Sequence, residues 1–284
     1  MNTTALTRGL ELASPAGTAP DRQGGLQALR TVAGFWFLVA LAGQLLFVFY
    51  VVVFFGGTVW RGDVAAFNKA MLVGRYIAGD TLGNLAIGAH LALAVIVTVG
   101  GPLQLIPQIR AHAPAFHRWN GRIYLITAVV ASLAGVYLIW NRPGLSSVTQ
   151  QIGISLNAAL NVLFAAIAVR HAIARDIATH RRWALRLFIA VSGVWFFRIG
   201  FMFWVLVNNG PVGFDPKTFR GPFIDFMSFA SYLLPLAMLE LYLRARDRGS
   251  PSARLAMAGA LGLLTIAMGV GIFGAAMGLW LRSL

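Results

Sequence analysis

Seven apolar runs, each long enough to cross a lipid bilayer, constrain the fold of this chain more than any other feature. A helix needs about 20 apolar residues to cross roughly 30 Å of hydrocarbon at about 1.5 Å per residue. Backbone groups in lipid must be satisfied within their own segment, and the alternating pattern of a barrel is missing here. The sequence therefore predicts an all-α, polytopic integral membrane bundle of seven transmembrane helices. The runs lie at about 31–56, 82–106, 121–140, 152–170, 185–208, 223–243 and 255–281.

The composition supports the same class. Of the 284 residues, 58% are hydrophobic and only 11% are charged, whereas about a quarter of the residues in a soluble domain are charged. Residues 1–28 contain Pro15, Pro20 and many small polar residues and are predicted to form a disordered cytoplasmic tail before a transmembrane domain at 29–284. The tail lacks the apolar core of a signal peptide, so the first span is expected to remain as an anchor. With no cysteine, a disulfide or a thiolate metal site is excluded.

The distribution of basic residues predicts the orientation. With the N-terminus inside, the inner segments hold 15 Lys and Arg residues and the outer segments hold seven. This bias predicts a cytoplasmic N-terminus and an outer C-terminus. The net charge of +14 therefore indicates an anionic lipid surface as the partner and not nucleic acid. Arg outnumbers Lys 21 to two, which is typical of a GC-rich bacterial genome and favours a multi-pass protein of the cell inner membrane.

Two similar basic motifs precede the third and fifth spans. Each places one histidine and several arginines at the same predicted bilayer face. The motifs are His117-Arg118-Trp119 with Arg122 and Tyr124, and His180-Arg181-Arg182-Trp183 with Arg186. If the two spans are neighbours, His117 and His180 could ligate a b-type haem from both sides, with the arginines on its propionates. An anionic small molecule or a quinone head group is a second interpretation, and helix capping with lipid-phosphate binding is a third.

Other polar residues are expected near the same level. Glu240 lies close to the inner end of the sixth span, where an arginine should neutralise it. Arg122, Arg186 and Arg244 are the candidates, and the pair would act as a clamp between helices or as part of a proton relay. Gln104 and Tyr124 could extend this network. No pair of histidines at helical spacing is present, so no metal site is predicted.

A second polar group is predicted in the outer half of the bilayer. It consists of His90, Arg198, Asn157, Asn161 and Asp225. A charged arginine at this depth costs about 2.5–3.5 kcal/mol on insertion scales, which favours a partner such as Asp225 or a water-filled cavity. The alternative is a hydrogen-bonded bundle core with Arg198 extending its guanidinium outward.

Two further features concern packing. Gly274 and Gly278 form a GxxxG pair, which allows close helix approach within the bundle or in a homo-oligomer. Residues 57–81, between the first two spans, are predicted to form an outer interfacial helix.

The chain resembles an uncharacterised bacterial membrane family catalogued as domain of unknown function 2306. The resemblance covers roughly residues 80–245 and implies a polytopic helical fold without an established activity. The chain departs from the family pattern at Ala184, where many relatives carry Met, and at Leu234-Pro235-Leu236, where relatives tend to have a polar Asn. The residues that carry the resemblance are Gly101-Pro102-Leu103-Gln104, His117-Arg118, Gly121-Arg122-Ile123-Tyr124, His180-Arg181-Arg182-Trp183, Arg186, His90, Arg198 and Glu240.

Three functions stay open at this point. The first is a redox protein that binds a b-type haem or a quinone at the inner rim. The second is a small-molecule transporter or sensor with a polar pocket in the outer half, and the third is a structural or assembly subunit of a membrane complex. A soluble-type hydrolase is not indicated, because no serine or cysteine lies at a recognisable spacing from a base.

Overall fold

The computed structural model describes residues 19–70, 76–142 and 146–284, which are helical or in short connections, with no β-strand among them. Ten α-helices are found in this part of the chain. In order, they are α1 (Ala19–Tyr50), α2 (Gly57–Trp60), α3 (Thr81–Leu105), α4 (Pro107–His112), α5 (Pro114–Asn141), α6 (Val148–Ile173), α7 (Ile177–Val191), α8 (Gly193–Val207), α9 (Pro222–Arg248) and α10 (Pro251–Ala275).

Within the described residues, six continuous helical segments are long and apolar enough to span a membrane, and a broken pair can supply a seventh. The six are Gln23–Trp60, Thr81–Leu105, Pro114–Asn141, Val148–Ile173, Pro222–Arg248 and Pro251–Trp280. They coincide with six of the apolar runs, and the broken pair coincides with the run at 185–208. The predicted all-α polytopic membrane fold is therefore confirmed, while the predicted orientation stays a prediction.

The fifth run is not the continuous helix that its hydropathy predicts. α7 and α8 meet at Ser192 and are bent by 50°. Gly193 follows the bend, where a β-carbon would lie 2.9 Å from Nδ2 of Asn157 and 3.1 Å from Cβ of Tyr232. Glycine thus lets α6 and α9 approach the break closely. α7 also begins at Ile177, well before the predicted start at residue 185.

Two expectations near the N-terminal part of the chain are wrong. Residues 19–28, assigned to the disordered tail, belong to α1, because the first span extends over the apolar surface of α10 and buries Leu29 against Met257. Residues 1–18 lie outside the described residues. The expected interfacial helix at 57–81 is instead a short α2 and a 3₁₀ turn at Val64–Lys69, and residues 71–75 lie outside the described part.

The broken span lies in the middle of the bundle. α1 packs against α3 and α10, α3 packs against α5, and α5 packs against α6. α7 packs against α6 and α9, and α8 packs against α9 and α10. One apolar cluster surrounds α7 with residues of α3, α5 and α6, and a larger one surrounds α8 with residues of α1, α3 and α10. The two halves of the broken span therefore have different neighbours, and the break lies between the two clusters.

Three glycines of the last span, Gly271, Gly274 and Gly278, face α8 of the same chain. A β-carbon at Gly274 would contact Leu206, and one at Gly278 would contact Met202, both on α8. Gly271 of the same helix approaches the backbone of Ile199. The GxxxG pair is thus used between α10 and α8, and a homo-oligomer formed through Gly274 and Gly278 would first have to displace α8.

Candidate functional site

The two basic motifs begin α5 and α7 at the same end of the bundle, which we call the basic end: the end with the α4–α5, α6–α7 and α9–α10 connections. Pro114 starts α5, and the carboxylate of Asp176 caps α7 by accepting from the backbone N–H of Thr179 at 3.1 Å. His117 and His180 follow in the first turns. Both side chains are partly buried.

The two imidazoles are held differently. Nδ1 of His180 lies 2.9 Å from the carbonyl oxygen of Ala168 on α6. Because a carbonyl only accepts, Nδ1 carries the proton and Nε2 is left as the basic nitrogen of the neutral ring. The Nδ1 atom of His117 is buried without a hydrogen-bond partner among the described residues. Gln104 binds the backbone beside it, with Nε2 donating to the carbonyl of His117 at 3.1 Å.

Two arginines of the second motif form ion pairs with carboxylates of α9 at the basic end. Glu240 accepts two parallel hydrogen bonds from Arg186, from Nε at 2.7 Å and from Nη2 at 2.9 Å. This bidentate pair joins α7 to α9, and the guanidinium also lies 4.5 Å from the ring centroid of Trp183. Arg182 forms a second pair with Asp247 at 2.6 Å. Of the three partners expected for Glu240, Arg186 is the one observed, as a clamp between helices requires.

The remaining arginines of the motifs are exposed. Arg118, Arg122 and Arg181 form no ion pair with a described residue, and Arg122 lies over the ring of Trp119 at 4.9 Å. Tyr124 is buried against Gly101, and its hydroxyl has no partner among the described residues. The basic end therefore combines two partly buried imidazoles with guanidinium groups that form no ion pair with the described residues.

The residues of the predicted outer polar group do not form one cluster in the structure. Nδ1 of His90 lies 3.1 Å from the carbonyl oxygen of Ala131 on α5. Arg198 forms no ion pair with a described residue. Its Nη1 donates to the carbonyl of Val194 at 3.0 Å, and the guanidinium lies 5.1 Å from the ring centroid of Phe47. The expected partner, Asp225, is engaged elsewhere.

Asp225 joins the first turns of α6 and α9 at the end opposite the basic end. Its carboxylate accepts from the hydroxyl of Ser147 at 2.6 Å and from Nε2 of Gln150 at 3.4 Å. The expectation of an Arg198–Asp225 pair is therefore wrong. Asp225 lies in the first turn of α9. The hydroxyl of Ser147, which caps α6, donates to its carboxylate there.

Asn157 and Asn161 belong to a set of polar residues around the break that we call the interior polar layer: Gln44, Asn157, Asn161, Ser192, Trp195 and Tyr232. Nε2 of Gln44 donates to the hydroxyl of Ser192 at 3.2 Å, and Nδ2 of Asn161 donates to the hydroxyl of Ser132 at 3.1 Å. All six side chains of the layer are at least nine-tenths buried. Each lies near the middle of its own span.

Most members of the layer keep a polar atom without a partner. Among the described residues, no group donates to Oε1 of Gln44 or Oδ1 of Asn157 and Asn161, and no group accepts from Trp195 Nε1 or the Tyr232 hydroxyl. Sequence reasoning found the two asparagines because they are one turn apart. It missed Gln44, Trp195 and Tyr232, although a glutamine in the centre of an apolar run was a usable indication of an interior polar contact.

The described residues contain no group of three His, Cys, Asp or Glu side chains that could hold a metal ion. With its long apolar helices, paired charges at one end and polar residues buried at mid-span, the molecule is a polytopic α-helical membrane protein. Residues 87–217, slightly less than half of the chain, match the model of the family described as "Predicted membrane protein (DUF2306)". This match confirms the resemblance drawn from the motifs. Searches of curated proteins and of solved structures found no match.

Proposed function

We propose that the protein is a membrane redox protein that binds a b-type haem between His117 and His180. The observation that carries this proposal is that the first turns of α5 and α7, two helices that share one apolar cluster, each place a partly buried imidazole at the basic end. A bis-histidine haem needs one basic nitrogen from each side. The hydrogen bond from His180 to the carbonyl of Ala168 is the kind of contact that orients a ligating imidazole and leaves Nε2 free.

The charged residues of the basic end fit the same group. Haem propionates require guanidinium groups that are not already paired, and Arg118 and Arg181 meet this condition. Arg182 and Arg186 are engaged by Asp247 and Glu240, so we assign them to holding α7 against α9. When bound, the haem would supply one-electron transfer, and the residues around it would fix its orientation and its exposure to water.

The test is the absorption spectrum of the purified full chain after haem supplementation. We expect a Soret band that shifts on reduction in the wild-type protein and that is lost in His117→Leu and His180→Leu. The chain provides matched controls, because His112 is exposed at the same end and His171 contacts Asp176. His112→Leu and His171→Leu should keep the band. A wild-type protein without a Soret band would overturn the haem proposal.

A quinone head group is the alternative ligand for the same end, since the free guanidinium groups and the hydroxyl of Tyr124 can donate to its carbonyl oxygens. Solvent extraction of the purified protein separates the two. Recovery of a stoichiometric quinone without a Soret band would favour the quinone. We also propose the bacterial inner membrane, with the basic end in the cytoplasm, as the location; reporter fusions at both termini test this orientation.

A second candidate function is the transport or sensing of a small polar molecule at the interior polar layer. It is favoured by the five polar atoms of the layer that have no partner among the described residues, because an unsatisfied polar group away from water costs several kcal/mol. A small molecule with both donors and acceptors would satisfy the amide oxygens, the indole N–H and the phenol together. No specific observation favours a structural subunit in the same way.

Hydroxyl-radical footprinting tests this second candidate, because the radical labels side chains that touch water. We expect Trp195 and Tyr232 to be labelled in the folded protein in detergent. Trp280 is the matched control: it is as deeply buried but packs in the apolar cluster against Phe47, with ring centroids 5.4 Å apart. If Trp195 and Tyr232 are protected as strongly as Trp280, the layer is dry and the candidate fails.

A further inference from the structure

A groove on the outer surface of the bundle, between α5 and α6, has no role in either proposed function. Its volume is about 750 Å³, within the range of roughly 300–1,000 Å³ that is typical of small-molecule sites. Nine of its ten lining residues are apolar, and the tenth is Arg170. Ile126, Val130, Val169 and Ile173, which line it, are exposed on the bundle surface, so the groove faces the surrounding lipid.

The groove has the length of one leaflet. Along α6 it extends from Val162 to Arg170 and on to Ile173. At about 1.5 Å per residue, the apolar part between Val162 and Arg170 is about 12 Å long. Half of the roughly 30 Å hydrocarbon core is about 15 Å. A chain lying in the groove would therefore begin at the level of Arg170 and end near the middle of the bilayer.

Two positive charges stand at the end of the groove that lies toward the basic end. Arg170 lines it directly. Arg122 lies one turn before Ile126 on the same face of α5, and its guanidinium lies over the exposed ring of Trp119 at 4.9 Å. Neither arginine forms an ion pair with a described residue. The nearest carboxylate along the chain, Asp176, is bound to His171 and to the backbone of Thr179.

We propose that this groove is a binding site for one anionic phospholipid, whose acyl chain lies between α5 and α6 and whose phosphate and charged head group are held by Arg170 and Arg122. An apolar groove of one-leaflet length fits a lipid acyl chain. The two guanidinium groups at its polar end, which form no ion pair with a described residue, favour an anionic head group. Trp119 lies at the height where an indole is favoured at the membrane interface. This site is separate from the His117 and His180 pair.

Native mass spectrometry of the full chain tests the proposal with phosphatidylglycerol, phosphatidylcholine and free glycerol phosphate as probes. We expect phosphatidylglycerol to be retained in preference to phosphatidylcholine, and glycerol phosphate, which has no acyl chain, not to be retained. Arg170→Gln and Arg122→Gln should each lower the retention of phosphatidylglycerol roughly fivefold, the effect of about 1 kcal/mol per basic residue near an anionic head group. Arg248→Gln removes an exposed charge from the same end and should have no effect.

Val130→Trp and Val169→Trp distinguish lipid binding in the groove from attraction of the lipid by positive charge alone. Both fill the groove without changing the net charge, on α5 and α6 respectively, and a single monodisperse peak in size-exclusion chromatography shows that each is folded. Loss of phosphatidylglycerol retention in either variant supports the proposal. Equal retention of the two phospholipids, or an undiminished signal in both tryptophan variants, overturns it.

Discussion

At the basic end of the bundle, Glu240 and Asp247 are paired with arginines, whereas in the interior polar layer uncharged groups are buried with some polar atoms unpaired among the described residues. Glu240 and Asp247 each hold a guanidinium at 2.9 Å or less. In the layer, five side chains keep a polar atom without a hydrogen-bond partner in the part of the chain that the structure describes. This is the reverse of the usual pattern in membrane proteins, in which polar groups form the most complete set of hydrogen bonds where water is most distant.

The contrast assigns different physical roles to the two regions. A bidentate pair such as Arg186–Glu240 fixes one geometry of two helices, so it gives specificity to the packing of α7 on α9. The uncharged groups at the break of the central span can change their hydrogen-bond partners easily, because an amide or a hydroxyl carries no net charge when a hydrogen bond is lost. The ion pair at the basic end therefore holds α7 against α9, whereas the layer keeps polar atoms that have no partner among the described residues.

The largest effect that we expect comes from breaking the clamp with Glu240→Gln. Loss of one partner from a fully buried ion pair costs about 3–5 kcal/mol. Because the side chain of Glu240 is 37% exposed, we expect the free energy of unfolding to fall by about 2 kcal/mol. The midpoint of thermal unfolding in detergent measures the loss.

The matched control for Glu240→Gln is Arg182→Gln, which breaks the more exposed Arg182–Asp247 pair. A surface pair contributes about 0–1 kcal/mol, so its unfolding midpoint should shift much less. In the double variant Arg186→Gln and Glu240→Gln, part of the stability should return because no charge is left unpaired. Equal shifts for the two single variants would show that the clamp does not position α7.

A smaller effect is expected from Gly193→Ala at the break. The new methyl group would lie 2.9 Å from Nδ2 of Asn157 and 3.1 Å from Cβ of Tyr232, so α6 or α9 must shift. Such overpacking costs roughly 1–2 kcal/mol. Gly269→Ala is the control, because a β-carbon there meets no atom within 4 Å; its unfolding midpoint should stay level or rise. A Gly193→Ala midpoint equal to that of Gly269→Ala would show a loosely packed layer.

The sequence predicts the fold class well because hydropathy acts over whole segments. Six apolar runs coincide with continuous helices, although the first of these, Gln23–Trp60, is much longer than the predicted run at 31–56. The break of the central span was not predicted, since the residues on both sides of Ser192 and Gly193 are apolar and a hydropathy average passes through them. The bend depends instead on contacts from α6 and α9, which the local sequence does not contain.

The candidate site was predicted only in part, because the sequence indicates the depth of a residue in the membrane but not which helix faces meet. The residues of the two motifs could be placed at one end because each histidine lies at a fixed distance from the start of an apolar run. Arg198 was matched with Asp225 only by depth, and depth does not determine which helix faces meet. Gln44 and Tyr232 stand alone in different apolar runs, so only the packing of α1 and α9 around the break brings them to one layer.

The smallest effect is expected at the basic end, from Asp176→Ala. The carboxylate caps α7 through the N–H of Thr179 and contacts His171. These interactions, with Thr179 the larger cause, hold the pKa of Asp176 below its ordinary value. A depressed pKa gives stability that is present above the ordinary value and is lost as the pH falls through the folded value. The unfolding midpoints of wild type and Asp176→Ala should therefore differ at pH 7 and converge toward pH 2. A difference that is constant over this range would show that the charged carboxylate does not cap α7.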